Sequence, residues 1–153
     1  SPREFTPDRV RGKTIASTTT NGTRALRAVA GADQILAASF LNLSATAKHL
    51  NKAQPENLLL VCAGTGEGVA LEDVLAAGAL ADLLADELSD ATEIARQTFL
   101  RSKADLAAAI ASSKNGRRLL GIPELRADVA FCSQRDVFNL VAVMEADGTL
   151  RKA

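Results

Sequence analysis

The chain has 153 residues, 47% of them hydrophobic and 24% charged, with a formal net charge of zero, as expected of one globular domain with a buried core. That balance leaves no electrostatic footprint for a nucleic-acid backbone. Aromatics make up 3%, with neither Trp nor Tyr, so a base-stacking platform is excluded as well. One histidine and two cysteines rule out a multi-histidine metal centre and a disulfide framework. Cys62 and Cys132 lie in apolar surroundings, which predicts buried structural thiols. His49, between Lys48 and Leu50, is expected to be a solvated or half-buried helix side chain. No secretory signal and no long apolar run is present, so the expectation is a cytoplasmic chain without a membrane partner. A start at Ser1-Pro2 without Met is expected of a processed or partial chain.

In chain order, Pro2, Pro7 and Gly12 predict an extended lead-in over residues 1–12. A short strand is expected at 13–17 and a helix at 23–31, stopped by Gly31. Gln34 to Ala38 reads as a buried strand. Ser39-Phe40-Leu41-Asn42 then leads into a helix to Lys52, with Leu43, Ala47 and Leu50 on one face. After the break at Pro55-Glu56-Asn57, the continuous apolar run Leu58-Leu59-Leu60-Val61-Cys62 predicts a strand covered on both faces. Gly64-Thr65-Gly66-Glu67-Gly68 is a flexible loop before an Ala/Leu helix over 70–88. Further helices are expected at 90–100 and 103–111, then a turn at Ser113-Lys114-Asn115-Gly116 and a helical piece at 117–120. Pro123 is placed to open a helix through Ser133. Residues 140–144 predict a last long strand, and Asp147-Gly148 a turn into a short one. Strands alternating with helices define an α/β class. A single domain is expected, with three α/β/α layers around a largely parallel (mixed) sheet.

In such folds ligands bind beyond the carboxyl ends of the strands. Three polar loops meet that condition: Thr18–Arg24, Ser39–Asn42 and Gly64–Asp73. The first, Ser17-Thr18-Thr19-Thr20-Asn21-Gly22-Thr23-Arg24, places hydroxyls, an Asn-Gly turn and a cation ahead of a helix start, where anions bind. An ordinary Thr-rich cap satisfies the same amides from within. On the helix that follows the third loop, Asp73 falls in line with Ala77, Leu80 and Leu84, the apolar stripe. Glu72 aligns with Ala79 and Asp86, on the more solvated side. An acid on an apolar stripe calls for a partner or a metal, and oxygen ligands beside an anion site suit Mg2+. Dipole complementation in the first helical turn is the competing explanation. Other familiar sites are absent. There is no P-loop string, no Cys–His pair, and the third glycine of the Gly64–Gly68 loop comes one residue early for a dinucleotide fingerprint. Ser113-Lys114-Asn115-Gly116-Arg117-Arg118 is a second candidate anion contact or a solvated connection.

The string from Ser17 to Ala25 resembles the 2-phosphosulfolactate phosphatase family (ComB type). The resemblance continues through Ser39–Asn42, Val61–Gly64, Leu71-Glu72-Asp73, Ala77–Ala79, Ser113–Gly116 with Gly121, and Asp128, Cys132 and Asp136. It covers nearly the whole chain and implies an α/β, magnesium-dependent acid phosphatase. Such an enzyme would release phosphate from 2-phospho-3-sulfolactate, leaving 3-sulfolactate, a step of coenzyme M biosynthesis in methanogens. On that basis Thr18, Thr19, Thr20, Asn21, Gly22, Thr23 and Arg24 are expected to hold phosphate or sulfonate. Ser39, Asn42 and Asn115 are expected to orient the substrate, and Asp73 with Glu72 to hold Mg2+ and serve catalysis. Family members carry a further N-terminal portion ahead of the segment matching Ser1-Pro2. A partial site, pairing with that segment or a homo-oligomer is therefore expected too. The alternatives are a non-catalytic anion- or nucleotide-binding module and an inactive fragment.

Overall fold

The computed structural model describes residues 1–84 and 87–153. The lead-in is not extended throughout. A 3-10 turn covers Pro2–Glu4 and a one-turn helix, α1, covers Pro7–Val10, each opened by its proline. Ser1 Oγ and Arg3 Nε donate to the buried carboxylate of Asp128 at 2.6 and 2.8 Å, anchoring this segment. Helix α2 (Gly22–Ala28) follows, then strand β1 (Ile35–Ala37), a 3-10 turn over Phe40–Asn42 and helix α3 (Leu43–Ala53). Next come α4 (Leu71–Leu84), α5 (Asp90–Ser102), α6 (Leu106–Ser112), α7 (Lys114–Leu120) and α8 (Arg126–Cys132). Strands β2 (Ala142–Met144) and β3 (Leu150–Lys152) close the chain. The long helix was expected to run to about residue 88, but residues 87–89 are not helical; the alignment of Glu72 with Asp86 involves a position outside the described residues. No helix among the described residues is long and apolar enough to cross a membrane.

Helices and sheet are mixed, but the sheet differs from the largely parallel one expected. It is three-stranded, in the order β1-β2-β3, and antiparallel at both junctions. Asp147-Gly148, with Gly148 at φ +80°, makes the β2–β3 hairpin as its turn chemistry predicts. The segments at 13–17 and 58–62 do not join the ladder. Among the described residues, neither 14–17 nor 55–63 makes a backbone–backbone hydrogen bond. A strand exists as half of a pair, and the apolar run at 58–62 has no partner. Leu59 is 78% exposed, and Leu58 and Val61 also face solvent. Both cysteines are exposed rather than buried. For Cys62 the reason is the same missing cover.

The core is helical. Leu43, Ala47 and Leu50 of α3 and Leu75, Ala79 and Leu80 of α4 meet Phe99 of α5, Ile110 of α6 and Val129 of α8. Gly78 lets α4 and α5 approach closely, because a Cβ there would overlap the Ala95 carbonyl. The expected turn at 113–116 is instead the start of α7. Ser113 Oγ accepts from Gly116 N at 2.9 Å, the cap of that helix. Past Pro123 the chain turns first, so α8 begins only at Arg126.

Candidate functional site

The centre of the site is the glycine loop ahead of α4. Thr65 N donates to Gly68 O at 2.9 Å and Gly68 N returns a bond to Thr65 O at 3.1 Å. Gly64 and Gly66 sit at φ +69° and +62°, a region that L side chains rarely occupy. Closed on itself, the loop turns its outer amides toward neighbouring elements. Gly64 N donates to Asp73 Oδ2 at 2.7 Å, and Gly66 N to Asn21 Oδ1 at 3.2 Å. From the first turn of α7, Asn115 Nδ2 donates to both Thr65 Oγ1 and Glu72 Oε1, each at 2.6 Å. The second carboxylate oxygen, Glu72 Oε2, is buried and has no hydrogen-bond partner.

Glu72 thus turns inward, contrary to the expectation that its side of α4 is the more solvated. Ala79, one face with it, is fully buried against the core, because α5 covers that face. Asp73 lies above Leu80, which is buried, and Ala77 and Leu84, which are half-buried. Burial raises the Asp73 carboxyl above its ordinary range; the Gly64 amide partly offsets this, and the adjacent Glu72 charge adds to it. Two neighbouring carboxyls in a partly desolvated place, one with an orphaned oxygen, are costly unless a cation or proton joins them. Among the described residues no group of three or more His, Cys, Asp or Glu side chains converges. Two carboxylates fit Mg2+ nonetheless, since that ion keeps several waters and takes one or two protein carboxylates plus substrate phosphate.

The structure therefore brings Asn21, Glu72, Asp73 and Asn115 together. The rest of the Thr18–Arg24 loop behaves in part as a cap. Thr19 Oγ1 accepts from Thr23 N at 3.0 Å, and Thr23 Oγ1 donates to Thr19 O at 2.7 Å. Gly22 packs close to the Thr19 hydroxyl. Thr18, Thr20 and Arg24 are exposed. Ser39 and Asn42 belong to another network. Asn42 Oδ1 accepts from Ser39 N and Oγ, and Nδ2 donates to Ala37 O and Leu140 O at 3.2 and 3.4 Å. Asn42 is buried, and its amide ties the end of β1 to the approach to β2. The Gly64–Asp73 loop was among the three loops expected to line the site, but no individual role was assigned to Thr65 or to the amides of Gly64 and Gly66. Their signal was the glycine spacing just before the acids, which fits a compact turn even though it fails as a dinucleotide fingerprint.

Fold and site together define a protein of mixed helix and sheet in which two loops and the first turn of α7 gather side-chain oxygens, amides and main-chain N–H groups at the start of α4. The family model described as 2-phosphosulpholactate phosphatase matches residues 1–147, and the chain belongs to that family. It is 37% identical to a relative from Caldanaerobacter subterraneus subsp. tengcongensis, over 92% of this chain and 59% of the relative. A Symbiobacterium thermophilum relative is 36% identical over 94% of this chain and 63% of its own length. One from Thermotoga maritima is 37% identical over 94% and 62%. All three are named "probable 2-phosphosulfolactate phosphatase". The chain thus spans less than two thirds of the length of these relatives.

Proposed function

We propose that this chain carries the metal-binding and substrate-binding part of a magnesium-dependent phosphatase. Its substrate would be 2-phospho-3-sulfolactate or a similar small anionic phosphate ester. The observation behind this is the orphaned Glu72 Oε2, held inside the Asn21–Thr65–Asn115 cluster beside Asp73. Family membership supplies the reaction class. In this reading Glu72 and Asp73 would hold Mg2+, directly or through water, which when bound would supply charge neutralisation at the phosphoryl oxygens and a more acidic water. Asn115 fixes the rotamer of Glu72 through a charge-assisted bond. Asn21 locks the substrate loop onto the glycine loop. Thr18, Thr20 and Arg24, exposed and without side-chain hydrogen bonds among the described residues, offer donors to phosphate and sulfonate.

The test is inorganic phosphate release from 2-phospho-3-sulfolactate, measured against a panel of other phosphate esters with Mg2+ titrated. Turnover should require Mg2+ and should fall sharply in Glu72→Gln and Asp73→Asn. Unaltered Mg2+ dependence in both variants would remove the metal assignment. Thr20→Val combined with Arg24→Ala should raise KM, and an unchanged KM and turnover would remove the loop from the site. The exposed donors of Thr18, Thr20 and Arg24 also support one further reading, anion binding without turnover. Substrate binding by calorimetry with no phosphate release would select it.

A further inference from the structure

Thr65, half-buried in the glycine loop, carries a hydroxyl hydrogen that the protein does not use. A carboxylate accepts and never donates, so Asn115 must turn its side-chain nitrogen toward Glu72. Of the two hydrogens on that nitrogen, one goes to Glu72 Oε1 and the other to Thr65 Oγ1, each at 2.6 Å. Thr65 Oγ1 is thereby fixed as an acceptor on that side, and its own hydrogen points elsewhere. Among the described residues that hydrogen meets no acceptor. Asn21 repeats the pattern one residue further along the loop. Its Oδ1 accepts from Gly66 N at 3.2 Å, which leaves Nδ2 facing away from that bond and without an acceptor among the described residues.

Two spare donors therefore stand in the same cluster as a spare acceptor, the buried Glu72 Oε2, and no hydrogen bond joins them. A water molecule completes a lone hydroxyl. Donors and an acceptor left open side by side instead match a pair of opposite charges, a cation on the oxygen and an oxyanion on the donors. Thr65 Oγ1 and Glu72 Oε1 bond the same nitrogen, so an anion that meets a cation on Glu72 also meets the Thr65 hydroxyl. Mg2+ takes substrate phosphate in preference to softer groups. A phosphoryl dianion is also the stronger acceptor, because a sulfonate spreads a single charge over three oxygens.

We propose that Thr65 is a substrate-binding residue whose hydroxyl, held by Asn115, donates to an oxygen of the phosphoryl group. The amide nitrogen of Asn21 supplies the neighbouring donor. This deepens the phosphatase reading and rests on it for the choice of a phosphate ester as ligand. It separates the phosphoryl end of the site, at Thr65, from the exposed donors of Thr18, Thr20 and Arg24.

The experiment is calorimetry on the full chain with three probes: Mg2+ alone, inorganic phosphate at saturating Mg2+, and 3-sulfolactate at saturating Mg2+. Thr65→Val keeps the β-branched shape and removes the hydroxyl. It should weaken phosphate binding about tenfold or more, as loss of a hydrogen bond to a charged group does. Affinity for Mg2+ alone, affinity for 3-sulfolactate and Tm should stay near the parent's values. Thr65→Ser, which restores the hydroxyl, should recover phosphate binding. Equal losses for Mg2+ and phosphate would show that Thr65 only anchors Asn115, and would overturn the proposal. Unchanged phosphate affinity, or no phosphate binding by the parent, overturns it as well. A loss confined to 3-sulfolactate overturns it and assigns the hydroxyl to the acid end of the substrate. A phosphate-release assay keeps the two readings apart. Mg2+-dependent turnover indifferent to Thr65→Val ends this proposal alone. Thr65-dependent phosphate binding without turnover sustains it and counts only against the phosphatase reading.

Discussion

Asn115 uses both hydrogens of its amide inside the cluster, one on Thr65 and one on Glu72. A leucine shares the branching at Cγ, though it is bulkier, and removes the bonds. Asn115→Leu should therefore weaken Mg2+ affinity roughly 10–100-fold, as loss of an outer-shell partner does, with little change in Tm. Calorimetry with Mg2+ alone reads this without any assay of turnover. Asp128 shows the opposite use of a carboxylate. The Arg3 guanidinium and then the Ser1 hydroxyl hold it below the ordinary carboxylate range. Its folded-state pKa is thus lower than its unfolded value, about 3.9. The stability it contributes is complete above that value and is lost as pH falls through the lower folded-state one. Asp128→Asn should lower Tm at pH 7, and the gap to the parent should narrow as pH falls through the lowered folded-state pKa. A gap constant with pH would show that the carboxylate charge is irrelevant. Both residues were visible in the sequence as parts of a family pattern, but their partners lie 43 and 125 positions away. No local spacing announces such contacts.

At the scale of elements, the helices were legible and their junctions were not. Periodic apolar positions predict α3, α4 and α5 within a few residues. The run Ser113-Lys114-Asn115-Gly116 has turn composition, yet it forms the first turn of α7. Ser113 caps that helix, and Gly116 sits against the Ile110 carbonyl, where a Cβ would overlap it. That packing overrides the turn preference of Asn-Gly. Gly78 is the corresponding contact between α4 and α5. An alanine there gains up to about 1 kcal/mol of helix propensity. It must also displace backbone, at a cost of roughly 1–3 kcal/mol or more. Gly78→Ala should therefore shift the urea midpoint downward. An upward shift would show that the helices have room to separate. Ser113→Ala should cost about 1 kcal/mol through loss of the cap.

For the whole molecule, stability rests on the helical core rather than on the short sheet. Leu75 is fully buried at the centre of that core. Leu75→Ala should cost about 2–5 kcal/mol in equilibrium unfolding. Leu59→Ala, on the open apolar run, should be near neutral in the isolated chain. A large loss at Leu59 would mean that the run is already covered.

The mix of helix and sheet, the family pattern and the positions of the long helices were determined by the sequence alone, because apolar periodicity and loop composition are local properties. The burial of Glu72, the gathering of Asn21, Thr65 and Asn115 around it, and the reduction of the Thr19–Thr23 pair to a cap were decided by tertiary structure. So was the state of residues 58–62. Their composition predicts an interior strand, but a strand needs a partner to hydrogen-bond to. No described segment provides one, so the run stays unpaired and largely exposed.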